Sequence, residues 1–341
     1  MPSNIGIIGI GIYIPETKMS AKQIAEATNG VWAESAVIEK LGIKSKPIPS
    51  NKPSDGTQEM GALAALAAIK DANIKPNEID VVIGIGEEWK EYGLTTSALY
   101  IQDRIGANKA WGIDVQNRCS TTVAAIEIAK ALMLSNDDIN TVLLAGGYRN
   151  GDFIDYKDSN VSFMFNLGAG GGALILRKNV NKNLILGAHI IGDGSLARTA
   201  AVEIGGIAKP FTKENLEEGK KSLRLLDPVY MKNRLNEVSM KNWYTCIDKA
   251  FEKSRMPKKI DYLAVLHMKR SAHEAMLKDL ALNPNQSTYL DEFGHIGQID
   301  QIISLKLGLD SGKIRNGSTI CMVAAGIGYV WSANVIKWGE K

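Results

Sequence analysis

Three cysteines and four histidines are the whole supply of thiol and imidazole in this chain of 341 residues. One cysteine, Cys119, stands in DVQNRCST (114–121), where a β-like run, AWGIDVQ, gives way to an apolar helical run, STTVAAIEIAKALMLS. A residue at such a junction faces unpaired backbone N–H groups and the positive end of the helix dipole, which favour a thiolate over a thiol. Turns of this shape also lift a nucleophile above a sheet. A small buried hydrophobe is the competing reading, and position alone leaves both open. Cys246, in NWYTCIDKAF, and Cys321, in TICMVAA, read as inert core.

Two of the histidines stand where an α/β sheet places its sites. His267 ends the run IDYLAVLH, and His295 lies in the Gly-flanked loop DEFGHIGQ before a helix. His273 reads as part of the helix that follows His267, and His189 as a strand residue in LILGAHII. A thiolate with two imidazoles is a set suited to acyl transfer. The turn AAGIG (324–328) could aim successive N–H groups at an oxyanion, or be a tight turn and nothing more. LGAGGGALIL (167–176) lacks the Lys-Ser/Thr of a P-loop and runs into a strand, so a nucleotide site is discarded.

Behind these residues, buried apolar runs alternate with helical ones, which indicates an α/β protein with a sheet covered on both faces. The order of elements repeats. PNEIDVVIGIG (76–86) is similar to PKKIDYLAVLH (257–267), and INTVLLAGGY (139–148) to GSTICMVAAGIGY (317–329). On this register Cys119 and His295 each open the helix before a buried strand. The expectation is two pseudo-duplicated halves: 1–177 carrying the nucleophile, and 178–341 carrying the histidines. The Lys-, Glu- and Leu-rich segment 195–235 reads as a helical insertion in the second half.

Composition excludes several classes. The net charge of +3 argues against nucleic acid or an acidic membrane as partner, and no metal-like Cys/His spacing occurs. No apolar run reaches the 18–20 or so residues of a membrane span. The opening MPSNIGIIGIGIYIP reads as a first strand rather than a signal peptide. With three unpatterned cysteines, the expectation is a cytoplasmic protein without disulfides.

Five segments, in order along the chain, resemble the thiolase superfamily, and within it the ketoacyl synthase III group (3-oxoacyl-acyl-carrier-protein synthase III). IGIGIYIPE resembles the family's G-x-Y-x-P opening, and GIDVQNRCSTTVAAIEIA its nucleophile segment. FNLGAGGGALIL resembles FGDGAGA, LHMKRSAHEAM resembles HQAN, and MVAAGIGYVWSANVIKW resembles GFGGGxTWG. The resemblance implies a thiolase-like five-layered αβαβα fold and a homodimer. It implies that Cys119 takes an acyl group from acyl-CoA or acyl carrier protein, with no cofactor. It also implies that His267 stabilises a thioester enolate. The backbone N–H groups of Cys119 and Ile327 would form the oxyanion hole. Trp32 and Lys40 are the candidate substrate-binding positions, Lys40 toward CoA phosphates or an acidic carrier.

Two departures bear on the chemistry. His295 stands where the family has asparagine, and two imidazole donors can hold an enolate much as His plus Asn would. In GIGEEWKEYG (84–93), Glu87 falls where hydroxymethylglutaryl-CoA synthases place a catalytic glutamate, although a solvated loop charge reads equally well. The leading expectation is decarboxylative condensation of a Cys119-bound acyl group with a malonyl-type thioester. Transfer of that group to an alcohol, an amine or water on the same site is second. A Glu87-dependent condensation is third, and a non-catalytic partner subunit is fourth.

Overall fold

The computed structural model describes residues 4–340. In chain order, the first half contains β1 (Ile5–Tyr13), β2 (Lys18–Ser20), α1 (Ala21–Ala27), α2 (Glu34–Ala36), β3 (Ser45–Pro47), α3 (Thr57–Ala72), β4 (Val81–Gly84) and α4 (Ser97–Ile105). It continues with β5 (Trp111–Asp114), α5 (Thr121–Ser135), β6 (Thr141–Tyr148) and β7 (Gly170–Lys178). The second half contains β8 (Lys182–Gly192), β9 (Ala200–Val202), α6 (Leu216–Gly219), β10 (Leu223–Leu225), α7 (Pro228–Ser254), β11 (Tyr262–Val265), α8 (Arg270–Asp279), α9 (Asp300–Asp310), β12 (Thr319–Gly326) and β13 (Val330–Glu340).

Nine strands join in the order β5-β4-β6-β7-β1-β8-β13-β12-β11. From β4 to β1 the pairings run parallel, antiparallel, antiparallel, and from β11 to β8 the same three senses recur. The two sets meet at a single antiparallel pair, Gly6 opposite Leu184. So slight a seam lets the sheet fold back over α5 and α9, each of which contacts strands of both sets. α3 and α4 cover one outer face, and α7 covers the other. The layers are therefore helix, sheet, helix, sheet, helix.

Position in this stack explains the sequence patterns. α5 is apolar nearly all round because it is enclosed, with Val123, Ala124, Ala125, Ile126, Ala129 and Met133 buried. The glycine run in β7 admits α3 at close range. A Cβ on Gly171 would lie 2.2 Å from the Met60 carbonyl oxygen, so only glycine fits. These glycines serve helix–sheet packing.

The segment 195–235 differs from the expected helical insertion. It holds a two-stranded ribbon of β9 and β10, the four-residue α6, and irregular chain. Gly205, Gly206 and Pro210 interrupt any helix there. Helix resumes only at α7, where Asp227 caps the Tyr230 N–H and Pro228 occupies the first turn.

Candidate active site

Cys119 lies in a short 3₁₀ turn, Arg118–Ser120, that leads from β5 into α5. Arg118 has a φ of 51°, a left-handed conformation uncommon for a residue with a side chain. The end of β12 presses against this turn. A Cβ on Gly326 would stand 2.5 Å from the Asn117 carbonyl oxygen and 3.2 Å from the Cys119 nitrogen. The turn is further held by Thr121, whose Oγ1 donates to the Arg118 carbonyl and accepts from the Asn117 N–H.

His295 reaches Cys119 from the loop before α9. Its Nε2 is 3.1 Å from Cys119 Sγ, and its Nδ1 is 2.6 Å from Asp300 Oδ2. Asp300 is the first residue of α9 and fully buried. Its carboxylate also accepts the backbone N–H groups of His267 and Ile296, both at 2.7 Å. Burial alone would lower the His295 pKa. The adjacent Cys119 sulfur and Asp300 carboxylate outweigh it and raise the pKa well above the ordinary imidazole value. The result is a Cys–His–Asp line that spans both halves of the molecule.

His267 is held differently. Asn166 Nδ2 donates to its Nδ1 at 3.0 Å, and its Nε2 faces the Gly42 carbonyl oxygen at 3.3 Å. An amide nitrogen can only donate, so Nδ1 is the acceptor and Nε2 carries the proton. Burial lowers the His267 pKa to about 4, so the ring is neutral at physiological pH.

Cys119, His267 and His295 line one cavity of about 740 Å³. Its apolar wall includes Leu41, Phe153, Phe163, Met164, Val202 and Leu223. A second hollow of about 890 Å³, between Ser50–Pro53 and the 91–100 segment, contains neither cysteine nor histidine.

A family model described as 3-oxoacyl-[acyl-carrier-protein (ACP)] synthase III matches residues 113–194, and the C-terminal model of the same family matches 252–338. The beta-ketoacyl-[acyl-carrier-protein] synthase III of Caldanaerobacter subterraneus subsp. tengcongensis is 27% identical over 342 residues, covering 98% of each chain. These matches support the ketoacyl synthase III family of the thiolase superfamily for this chain. It is thereby an acyltransferase of the condensing-enzyme type. The fold agrees: the 3-oxoacyl-(acyl carrier protein) synthase III of Pseudomonas aeruginosa superposes with a TM-score of 0.84 at 17% identity, over 99% of both chains. OleA of Xanthomonas campestris, in a structure with bound lauric acid and lauroyl-CoA, superposes at 0.81 and 16% identity, over 99% of this chain and all of that one.

Against the family pattern, the candidate residues fall into two groups. Cys119, His267, His295 and Glu87 surround the cavity, and Ile327 lines it from the turn after β12. Glu87 is not a free base there. Its buried carboxylate lies 3.1 Å from the Arg118 guanidinium, with Asn150 beside it, while burial raises its pKa against the pull of Arg118. Trp32 and Lys40 are not brought to the cavity wall. Trp32 packs edge-on to Phe165 with ring centres 6.1 Å apart, and Lys40 is exposed on a turn beside Leu41. His273 is a buried neighbour of Tyr289, and His189 is a β8 residue near Lys253. Asp300 and Asn166 escaped the sequence reading. A lone acid in the apolar run HIGQIDQII was the available signal for Asp300; Asn166 carried none.

Proposed function

We infer that this condensing enzyme accepts an acyl group from an acyl-CoA or acyl carrier protein thioester onto Cys119 and passes it to a malonyl-type thioester. The observation that supports this reading is the Cys119–His295–Asp300 line at the wall of an apolar cavity. His295 takes the thiol proton, and Asp300 accepts the Nδ1–H and stabilises the imidazolium. The thiolate attacks the thioester carbonyl, whose oxygen is received by the N–H groups of Cys119 and Ile327. The new S–C bond forms as the donor's S–C bond breaks, and the proton on His295 goes to the departing thiolate. The malonyl-type substrate then loses carbon dioxide, and the His267 Nε2–H exchanges its contact with the Gly42 carbonyl for the enolate oxygen. The carbanion attacks the acyl carbonyl and releases Cys119 as thiolate. No resident cofactor enters this sequence, and the reading places the enzyme in the cytoplasm as a homodimer.

One observation favours a second outcome on the same acyl-enzyme. With Asp300 on Nδ1–H, neutral His295 presents an Nε2 lone pair to the acyl position. That makes it a base for an incoming alcohol or amine rather than an enolate donor. A Glu87-based condensation has less support, because Arg118 and Asn150 occupy that carboxylate.

The test is intact-protein mass after brief incubation with acyl-CoAs from acetyl to long chain. An acyl-sized gain is expected in the wild type and none in Cys119→Ser. His295→Asn and Asp300→Asn are expected to load about a hundredfold more slowly or worse. Loss of the acyl mass with carbon dioxide release on adding a malonyl thioester supports condensation. Loss only with alcohols or amines supports the second outcome. Absence of any gain, with CoA-linked and carrier-linked donors alike, sinks the covalent mechanism and leaves a non-catalytic partner subunit.

A further inference from the structure

Lys46 has a fully buried side chain in β3, and among the described residues no carboxylate pairs with it. Its Nζ instead donates to Tyr156 Oη at 2.7 Å, to the Phe165 carbonyl at 2.7 Å and to the Leu167 carbonyl at 2.8 Å. Burial lowers its pKa to about 7; in the ammonium form it has three donors, and all three are used. Burying a cation without a counter-charge is costly even when it is hydrogen-bonded, and methionine would fill similar volume without that cost. Nothing in the acyl-transfer sequence employs the group directly.

Its partners show what it does control. The two gripped carbonyls flank Asn166. Asn166 Nδ2 donates to His267 Nδ1, while the Asn166 carbonyl accepts the His295 backbone N–H at 2.9 Å. The His295 carbonyl in turn accepts the Gly168 N–H at 2.9 Å. Residues 165–168 thus form a strut with Lys46 on one side and both imidazole-bearing residues on the other.

We propose that Lys46 is a positioning residue: by anchoring the Phe165 and Leu167 carbonyls it fixes Asn166, and through Asn166 the tautomer of His267 and the seat of His295. Methionine at position 46 would leave two buried carbonyls without donors, and the strut would move to find others. The Asn166 amide would then lose its register with His267, and the Nε2–H donor with it. The proposal rests on the reading that His267 acts through that N–H.

The test reads the tautomer directly, on the full chain without substrate. Long-range proton–nitrogen spectra of histidine-labelled protein resolve four rings, and His267→Gln assigns the signal. Wild type is expected to show the Nε2–H form of His267. Lys46→Met is expected to show a mixture of tautomers, with turnover reduced about tenfold and KM within about twofold. Lys46→Arg, which keeps a cationic donor, is expected to restore both. A folded Lys46→Met protein with wild-type tautomer overturns the proposal, as does a turnover loss that Lys46→Arg does not relieve. Should Lys46→Met fail to fold, Asn166→Leu removes the link between strut and ring instead, and an unchanged His267 tautomer there overturns the proposal equally. Because the resting protein is observed, failure of acyl loading is a separate result.

Discussion

Two imidazoles separated by one carboxylate titrate in opposite senses. His267 has a folded pKa of about 4 against an ordinary value of 6.5, so the unfolded chain binds more protons between those values. Its contribution to stability is intact above the ordinary value and is lost as pH falls toward 4, by roughly 3 kcal/mol. His295 is raised, so its contribution is intact below 6.5 and is lost as pH rises through the folded value. Urea unfolding from pH 4 to 9 is expected to show a dome flanked by both losses. Burial lowers His273 to about 4 as well, so His267→Gln should remove only part of the acid-side loss, while His295→Asn should flatten the alkaline side. An acid limb unchanged in His267→Gln would refute the assignment to that ring. At this scale Cys119 and His295 were legible, because each is a rare residue type at an element boundary. Asp300 was not, because an acid at a helix start is ordinary until burial leaves the imidazole as its side-chain partner.

Elements position these groups through contacts that tolerate little volume. The end of β12 meets the Cys119 turn at Gly326, where a methyl group would collide with the Asn117 carbonyl. Gly326→Ala is expected to cost about 1–3 kcal/mol of stability and to abolish acyl loading by displacing the nucleophile. Gly194→Ala is the control, since a Cβ there meets nothing within 4 Å. Thermal melts and acyl-loading mass measure both. Wild-type loading in Gly326→Ala would show that the turn does not depend on β12. Most strands and helices were readable as alternating apolar and helical runs; the structure adds the Ser20–Gln23 capping box that opens α1. The 195–235 segment was misread as helical because its Lys, Glu and Leu are good helix formers, while its glycines and proline decide the backbone.

The whole molecule ends its sheet in two strands: β11 is buried and bridges to Ser287, whereas β5 pairs with no strand beyond β4 among the described residues. Trp111 and Ile113 are exposed on β5, near exposed Leu99 and Tyr100 of α4. An apolar open edge invites pairing with another strand, and a second copy of β5 would satisfy it. Sedimentation is expected to give twice the 37.0 kDa chain mass, and Ile113→Asp is expected to give the single chain. A wild-type protein that sediments at the single-chain mass would remove the dimer from the reading.

The sequence by itself determined the α/β class, the order of the main strands and helices outside 195–235, and the positions of Cys119, His267 and His295, since these depend on local periodicity, breakers and the rarity of the residues. It also carried the family, through five short segments in order. Only the tertiary structure decided what those residues touch. Cys119 and His295 are 176 positions apart and meet at 3.1 Å because α5 and α9 share the layer between the two sheet halves. The buried partners Asp300, Asn166 and Lys46 acquire their roles in the same way. A carboxylate, an amide or an ammonium has no fixed function until the fold removes water and leaves it a single set of partners.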